Sequence, residues 1–219
     1  MTSNPILSII MATWAPNKYR LNLLKETLKS FEDSVKTDYE LIIVDNGPKE
    51  QTELLKEFDS DIIIKNEQNK GLGYCWNQGF DVSKGKYISL IDNDLLFVKG
   101  WADECIELLE KYPDKKLIAT ALASYHHHSP KYFEGELDGY YLWNRSGTAG
   151  SVFKRTTVDE LGEWSVHPKP GVNWCNQLGA RDWKFISLKI PKVIHRGIKR
   201  SYNEKKMLID GKWKKEWGF

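Results

Sequence analysis

Apolar residues in the first half of the chain follow two alternating periods. Short apolar runs of strand length are separated by longer stretches in which apolar positions recur every three or four residues, as on one side of a helix. The runs predict strands at residues 6–13, 40–45, 61–65 and 86–91. The longer stretches predict helices at residues 17–35 and 74–82, and a third that begins after the turn at residues 46–48 and carries Leu54, Leu55 and Phe58. This alternation predicts an α/β fold, with a largely parallel sheet and helices on both of its faces.

The second half of the chain has a less regular pattern. We expect a helix at residues 101–112, a buried strand at residues 116–124 and an alternating strand at residues 183–190. Residues 137–155 are rich in Tyr, Trp and Gly and end in a strand-like segment, which indicates a small antiparallel addition to the sheet. A length of 219 residues suits one domain with a well-buried core.

The composition is typical of a soluble globular protein, because 41% of the residues are hydrophobic and 28% are charged. No apolar run approaches the roughly 18 residues that a membrane-spanning helix needs. The first residues lack the basic region of a signal peptide, so we expect a cytoplasmic protein. Its three cysteines, Cys75, Cys105 and Cys175, lie widely spaced in apolar or helical stretches, and we expect them to be reduced core thiols.

Polar residues stand at the ends of four predicted strands. They are Thr13, Asp45, Asn66 and the segment from Asp92 to Asp94. In open sheets of this class, ligands bind at the carboxyl ends of the strands. The sequence therefore predicts one rim of the sheet that carries a hydroxyl, an amide and several carboxylates.

Two acids at this rim, Asp92 and Asp94, would repel each other unless a cation lay between them. Carboxylate oxygens suit Mg²⁺ or Mn²⁺, which often bind through one or two carboxylates together with the phosphates of a substrate. The alternative is that Asp92, Asn93 and Asp94 form only a turn, since all three residue types hydrogen-bond to their own backbone. The other polar strand ends on the same rim favour the metal site.

Four segments carry a resemblance to a known family. Their sequences are LSIIMAT at 7–13, ELIIVDNG at 40–47, NKGLGYCWNQG at 69–79 and GKYISLIDND at 85–94. In this order and at these spacings they resemble family 2 glycosyltransferases, which have the GT-A fold. The resemblance is strong in the first half of the chain and weak in the second. It implies a single GT-A (Rossmann-like) domain, in which residues 1–98 bind a nucleotide-sugar and residues 99–219 bind the acceptor.

The resemblance also implies a set of metal ligands. Asp94 would bind Mn²⁺ or Mg²⁺ directly, and Asp92 would lie nearer the ribose or the waters of the metal. His195 stands in an Ile-His-Arg-Gly sequence that resembles the position where a histidine completes the metal shell. A neutral imidazole is a suitable ligand for Mn²⁺. A hydrogen-bonded histidine at a strand end is the alternative.

For the nucleotide, the resemblance implies that Asp45 accepts a hydrogen bond from the base and that Thr13 lines the base and ribose. Asn69, Lys70 and Gly71 would lie across its other side. The segments around Asp45 and Gly71 also suit an ordinary turn and a helix entry. The complete set of nucleotide-sugar-binding residues would be Thr13, Asp45, Asn69, Lys70, Gly71, Asp92 and Asn93.

The catalytic base is missing from its usual position. The family carries it in a Glu-Asp-x-Asp-like stretch near the start of a late helix, and the corresponding residues 169–178 contain no acid. Asn173 cannot accept a proton as a carboxylate would. Glu163, His167 and Asp182 are the nearby candidates, and Asp182 is our first choice because it lies between the predicted helix and the next strand.

Aromatic residues of the second half are candidates for an acceptor site, since ring faces pack on the apolar surface of a sugar. Tyr140, Trp143 and Trp164 are the candidates, and packing in the core is the alternative for each of the nine tryptophans. Three consecutive histidines, His126 to His128, cannot converge on one ion from a regular strand or helix. We expect these histidines to lie in a loop.

The end of the chain is basic. Residues 196–217 hold eight Lys and Arg against three acids, although the net charge of the whole chain is only +2. Arg196, Lys199 and Arg200 would lie near a bound diphosphate. The rest of this segment could cover the site, contact an anionic membrane surface or form a solvated helix. Because the charge is local, nucleic-acid binding is disfavoured.

Together these features predict a metal-dependent glycosyltransferase. It would move a sugar from a nucleoside diphosphate, preferably UDP, to a hydroxyl of a glycan or a lipid-linked acceptor, with inversion if the resemblance holds. The alternative is a catalytically inactive module that binds a sugar nucleotide or a glycan, which the missing acidic stretch favours. A nucleotidyltransferase would carry a Gly-rich basic loop after its first strand, and residues 13–17 do not resemble one.

Overall fold

The computed structural model describes residues 4–123, 130–166 and 169–196. In these ranges the strands are β1 (Leu7–Thr13), β2 (Tyr39–Asp45), β3 (Ile62–Lys65), β4 (Tyr87–Asp92), β5 (Leu95–Phe97), β6 (Leu117–Thr120), β7 (Leu122–Ala123), β8 (Phe133–Leu137), β9 (Tyr140–Trp143), β10 (Ser151–Lys154), β11 (Lys184–Ser187) and β12 (Val193–His195). The helices are α1 (Lys18–Phe31), α2 (Lys49–Lys56), α3 (Leu72–Val82), α4 (Trp101–Lys111), α5 (Arg155–Leu161) and α6 (Pro170–Gly179). None of the helices in these ranges combines the length and apolar character that crossing a membrane requires.

The central sheet has the strand order β3-β2-β1-β4-β10-β6-β11-β9-β8. Its first four strands, β1 to β4, pair in parallel. Strand β10 is antiparallel to both β4 and β6, so β6 runs in the same direction as β4, and β11 is parallel to β6. Strands β9 and β8 add an antiparallel hairpin at one edge. The predicted α/β fold, with a mostly parallel sheet and a small antiparallel addition, is confirmed.

A second sheet of three strands has the order β5-β12-β7. Strand β12 is antiparallel to β5 and parallel to β7. In this pairing His195 lies opposite Leu95. Leu95 is the first residue after the acidic turn that follows β4. The small sheet therefore brings a residue near the end of the described chain beside Asp92 and Asp94.

The core consists of two apolar layers, one on each face of the central sheet. Alternate residues of β1 point to opposite faces, as expected for a buried parallel strand. Ile9 belongs to the layer that contains Leu28 of α1 and Trp101 of α4. Ile10 belongs to the opposite layer, with Trp76 of α3 and residues of α5 and α6. Both faces are thus covered by helices, as the sequence predicts.

Two of the aromatic residues proposed for the acceptor site lie in the core instead. Trp164 is 2% exposed, and its ring packs against Trp76, Phe80, Phe153 and Trp174. Trp143 is also buried, and its indole nitrogen donates a hydrogen bond of 3.2 Å to Ser187. The alternative of core packing is therefore correct for both residues. The three cysteines are buried and unbridged, as expected.

Asp103, in the first turn of α4, holds the loop between α1 and β2. Its carboxylate accepts hydrogen bonds of 2.7 Å from both the amide and the hydroxyl of Thr37, and one of 3.2 Å from the amide of Lys36. Burial alone would raise the pKa of Asp103, but these hydrogen bonds outweigh it and hold the pKa below its ordinary value. The ionised carboxylate therefore stabilises the fold.

We expect Asp103→Ala to lower the free energy of unfolding by about 1–2 kcal/mol at neutral pH, because several charge-assisted hydrogen bonds are lost from a half-buried group. The folded-state pKa is depressed, so this contribution is complete above the unfolded-state pKa and disappears as the pH falls through the folded value. Urea denaturation at pH 7 and at acidic pH measures both effects. The exposed Glu107→Ala on the same helix is the control, and equal stability of the two variants would contradict the assignment.

Candidate functional site

The carboxyl ends of β1, β2 and β4 meet at one edge of the central sheet. In the strand register Thr13 lies opposite Asp45, and Ala12 lies opposite Asp92. The three strands are therefore aligned at their ends, and the residues that follow them share one rim. This is the rim on which the sequence places the nucleotide and the metal.

Asp92, Asp94 and His195 form a cluster at this rim. One possible ligand atom from each residue lies within 4.8 Å of the others. The Nε2 atom of His195 is 3.2 Å from Oδ1 of Asp94 and 3.8 Å from Oδ2 of Asp92. The structure thus brings together all three residues that the sequence predicts as metal ligands.

The electrostatics of this acidic cluster suit a divalent cation. Burial raises the pKa of Asp94, and the neighbouring Asp92 adds to the rise, whereas His195 and Arg20 oppose it. Burial would lower the pKa of His195, but the two carboxylates outweigh that effect and raise it. Oδ1 of Asp94 and Nδ1 of His195 are buried without a hydrogen-bond partner in the described part of the chain. A buried carboxylate oxygen that lacks a partner, with an imidazole beside it, fits Mn²⁺ or Mg²⁺.

Arg20 is a site residue that the sequence reasoning missed. It lies in the first turn of α1, and its Nη1 atom donates a hydrogen bond of 2.7 Å to Oδ2 of Asp94. A cation in the first turn of a helix faces the positive end of the helix dipole, which is an unfavourable position for it. Lys18 occupies the same turn, so this signal alone does not distinguish Arg20.

A first cavity of about 300 Å³ opens beside the acidic cluster. Five of the seven predicted nucleotide-binding residues line it, namely Thr13, Asn69, Gly71, Asp92 and Asn93. Trp14 and Asn46, which were not predicted as site residues, also line it. Trp14 is 50% exposed and lines the cavity, and an exposed indole is suited to stacking on a nucleotide base.

Asp45 lies behind this first cavity and is fully buried. Its Oδ1 accepts hydrogen bonds from the side-chain amide of Gln51 at 2.5 Å and from the backbone amide of Gly47 at 2.9 Å. Its Oδ2 accepts one of 2.6 Å from Thr52 and lies 3.1 Å from Nζ of Lys65. Asp45 therefore reaches the cavity wall indirectly, because Gln51 also donates to the hydroxyl of Thr13.

The loop that carries Asn69, Lys70 and Gly71 is held by a network of side-chain amides. Asn46 donates to Oδ1 of Asn69 at 3.2 Å and to Sγ of Cys75 at 2.8 Å. Lys70 is exposed, does not line the first cavity, and is tied to the network through its backbone amide. Burial raises the pKa of Cys75 to about 11, so its thiol stays protonated at neutral pH.

A second cavity, of about 280 Å³, lies on the other side of Asp92 and His195. Its wall is formed by the segment before β10, with Arg145, Ser146 and Thr148, and by the start of α6, with Lys169 and Gly171. Leu72 and Asp92 line both cavities. The acidic cluster therefore stands between two adjoining spaces.

The structure does not bring Asp182 to this site. It precedes β11, which runs parallel to β6 and hence to β4, so Asp182 lies at the amino ends of these strands. The amide of Lys184 accordingly bonds to the carbonyl of Lys116, just before β6 begins. The acidic cluster lies at the opposite edge, after β4. This placement argues against Asp182 as the catalytic base.

The other two candidates for the base differ in position. Glu163 is exposed after α5 and lines neither cavity. His167 lies outside the described residues, as do His126 to His128 and the basic segment beyond Arg196. Lys169, two positions after His167, lines the second cavity. Asn173 lies in α6, a helix that contains no acidic residue.

Comparison with known proteins identifies the family. The model of Glycosyl transferase family 2 matches residues 8–155, which is more than half of the chain. The chain belongs to this family. The match contains the first cavity, Asp92, Asp94 and the wall residues before β10, whereas α6 and His195 lie beyond it.

Several named proteins are similar to this glycosyltransferase family 2 chain. An uncharacterized glycosyltransferase of Methanocaldococcus jannaschii is 32% identical over 52% of the chain and 40% of its own length. The glucosyl-dolichyl phosphate glucuronosyltransferase of Haloferax volcanii is 22% identical over 74% of the chain and 56% of its own length. Glycosyltransferase GlyG of Streptococcus pneumoniae is 24% identical over 83% of the chain and 52% of its own length. The chain thus spans about half the length of these relatives.

Solved structures support the fold. The structure of S. aureus TarS 1-349 in complex with UDP-GlcNAc superposes with a TM-score of 0.69. The match covers 88% of this chain and 59% of that chain, at 11% sequence identity. At this identity the likeness supports the GT-A fold and not a substrate.

Proposed function

We propose that this chain transfers a sugar from a nucleoside diphosphate, UDP by preference, to a hydroxyl of a glycan or a lipid-linked acceptor. The observation that carries the proposal is the cluster of Asp92, Asp94 and His195 between two adjoining cavities. In this arrangement the donor nucleotide occupies the first cavity. The acceptor enters the second cavity.

The first cavity suits a nucleotide because it combines an exposed ring with polar groups. The indole of Trp14 would stack on the base, and Thr13, Asn69 and Gly71 would line the base and ribose. Asp45 would act through Gln51 and Thr13, since its own carboxylate is buried and already accepts hydrogen bonds. TarS, which shares this fold, has been solved in complex with UDP-GlcNAc, so UDP is the first nucleotide to test.

Asp92, Asp94 and His195 would hold Mn²⁺ or Mg²⁺. When bound, the ion would neutralise the diphosphate leaving group. Arg20 holds Oδ2 of Asp94, and Oδ1, which has no hydrogen-bond partner among the described residues, would bind the ion. Arg20 would also place a fixed positive charge near the departing phosphates.

The reaction would be a direct displacement. The acceptor hydroxyl oxygen forms a bond to the anomeric carbon, the bond from that carbon to the diphosphate oxygen breaks, and UDP leaves with the electron pair. A base takes the hydroxyl proton, and attack from the opposite face gives inversion. Of the three candidates we retain His167 by elimination, because Asp182 lies at the opposite edge of the sheet and Glu163 lines neither cavity. His167→Gln should then lower kcat about 10²- to 10⁴-fold without changing the affinity for UDP.

The acceptor class rests on the relatives. The similarity to the glucosyl-dolichyl phosphate glucuronosyltransferase of Haloferax volcanii supports a lipid-linked acceptor. With such an acceptor, the basic residues 196–217 would contact an anionic membrane surface. Binding of the protein to vesicles that contain anionic lipid, compared with neutral vesicles, tests this part of the proposal. Equal binding to both would remove the membrane contact.

An inactive binding module is the second candidate. It is favoured by one observation: within the described ranges, the only carboxylate that lines the second cavity is Asp92. Such a module would bind UDP in a metal-dependent manner but would not cleave a UDP-sugar to UDP and sugar.

Calorimetric titration separates the two candidates. Purified protein is titrated with UDP, GDP and dTDP, with and without Mn²⁺, and UDP release is then followed with a panel of UDP-sugars. The transferase predicts Mn²⁺-dependent binding of UDP and slow release of UDP from one donor. Binding without release in the presence of acceptors would favour the module, and no nucleotide binding would refute both.

A further inference from the structure

We propose that the second cavity recognises an anionic group, a carboxylate or a phosphate, on the acceptor. The inference rests on the proposed function, in which the donor occupies the first cavity and the acceptor enters the second. It adds a charge requirement for the acceptor, which follows from the side chains that line this cavity.

Arg145 and Lys169 give the cavity two positive charges. Within the described ranges, neither side chain has an acidic partner at ion-pair distance. Arg145 stands over the ring of Tyr132, with its guanidinium carbon 5.6 Å from the ring centroid, and this contact fixes its position without neutralising it. Asp92, the only acid on the wall in those ranges, lies 3.8 Å from Nε2 of His195. The charge of the cavity therefore matches an anionic ligand.

Ser146 provides an independent indication of a ligand. The residue is 2% exposed and lines the second cavity, and its Oγ has no hydrogen-bond partner among the described residues. A buried hydroxyl left without a partner costs free energy, so a ligand oxygen that pairs with it gains affinity. Carboxylate and phosphate oxygens are strong acceptors for such a hydroxyl.

The start of α6 contributes to the same wall. This helix has ten residues, and its N-terminal residues Pro170, Gly171 and Val172 line the second cavity. The positive end of the helix dipole therefore points toward the space that Arg145, Ser146 and Lys169 surround. Lys169, at the N-cap, has a φ of 67°, a left-handed conformation that is uncommon for lysine. The basic side chains, the buried hydroxyl of Ser146 and the N-terminus of α6 thus all favour an anionic ligand.

The position of the charges assigns the anion to the acceptor. Lys169 is exposed, whereas Asp94 of the acidic cluster is buried and lines the first cavity, so the positive charge of Lys169 lies on the solvent side of the second cavity. The nucleotide enters the first cavity, and the acceptor approaches through the open side of the second. Its anion would then be held while its hydroxyl points to the acidic cluster.

The test uses the whole protein, saturated with UDP and Mn²⁺ so that the first cavity is filled. Glucuronic acid, glucose 6-phosphate and glucose are titrated at moderate ionic strength by calorimetry or ligand-detected NMR. The two anionic probes distinguish a carboxylate from a phosphate, and glucose is the neutral reference. We expect at least one anion to bind about 10-fold more tightly than glucose, as for charge-assisted hydrogen bonds in a partly desolvated site.

Matched variants show whether the second cavity is responsible. Arg145→Gln with Lys169→Gln should reduce the preference for the anion to within about 2-fold of glucose, and Ser146→Ala should weaken it several-fold. Arg145→Lys should keep most of it, which separates loss of charge from loss of folding. The exposed Lys115→Gln is the control and should keep the wild-type preference.

Two results would overturn the proposal: anions that bind no better than glucose, or a preference that survives the double variant. If UDP fails to bind but the preference is present and depends on Arg145 and Lys169, the anion site stands and the transferase assignment fails. If UDP binds and the preference is absent, the transferase assignment stands and the anion site fails.

Discussion

Replacing Asp94 by asparagine is expected to remove the metal dependence of UDP binding and to lower kcat about 10³-fold. This is the effect of losing several kcal/mol of charge stabilisation by a metal ion. Asp94 is only 7% exposed, and its Oδ2 is held by Arg20, so Oδ1 is the atom that would bind the cation of the proposed site. Asparagine keeps the shape of the side chain but lacks the negative charge, so the geometry changes little while the metal affinity falls.

Calorimetry with UDP, with and without Mn²⁺, measures the binding effect, and the rate of UDP release measures the effect on kcat. The matched control is Asp182→Asn, an acid at the opposite edge of the sheet, which should keep the wild-type affinity and rate. A folded Asp94→Asn protein with unchanged Mn²⁺-dependent affinity would refute the metal site. Loss of turnover in Asp182→Asn would restore Asp182 as the base.

Replacing Trp174 by alanine is expected to lower the free energy of unfolding by about 3–5 kcal/mol, the usual cost of removing a large buried aromatic side chain. Trp174 is 1% exposed, and its ring centroid lies 4.8 Å from that of Phe153 and 5.7 Å from that of Trp164. This loss is a large share of the roughly 5–15 kcal/mol that stabilises a typical domain. The cavity would open beneath α6, beside the wall of the second cavity.

Chemical denaturation measures the free energy of unfolding of Trp174→Ala and of Trp14→Ala. The second variant is the control, because it also removes an indole. Trp14 is half exposed at the first cavity, so its replacement should change stability by no more than about 0.5 kcal/mol. The same replacement should weaken UDP binding about 10-fold or more, because a stacking surface is lost. A Trp174→Ala protein within 1 kcal/mol of wild type would contradict the core position.

The strands and helices of the first half could be predicted because each leaves a long periodic pattern. Strand β1 was expected at residues 6–13 and is found at Leu7–Thr13, and the helix expected at residues 17–35 is α1 at Lys18–Phe31. Helix α5 was missed, since its seven residues, Arg155–Leu161, span only two turns and follow β10 without a break. Short elements carry too few positions to reveal a period.

Some residues of the candidate site could likewise be predicted from the sequence, and others could not. Asp92 and Asp94 could be placed from the sequence, because the residue after a buried parallel strand must lie at the rim. Asp182 could not be placed from the sequence, because its location depends on the direction of β11. That direction is set by pairing with β6, which lies more than sixty residues earlier in the chain. Arg20 and Asp45 depend likewise on which distant side chains pack against them.

The sequence by itself determined the α/β class, the order of the elements in the first half and the acidic rim, since each follows from local burial and from the end of a strand. Only the tertiary structure decided that Arg20 holds Asp94, that Asp182 lies at the far edge, and that Arg145, Ser146 and Lys169 share one cavity. These facts depend on contacts between segments far apart in the chain, and local periodicity carries no information about such contacts.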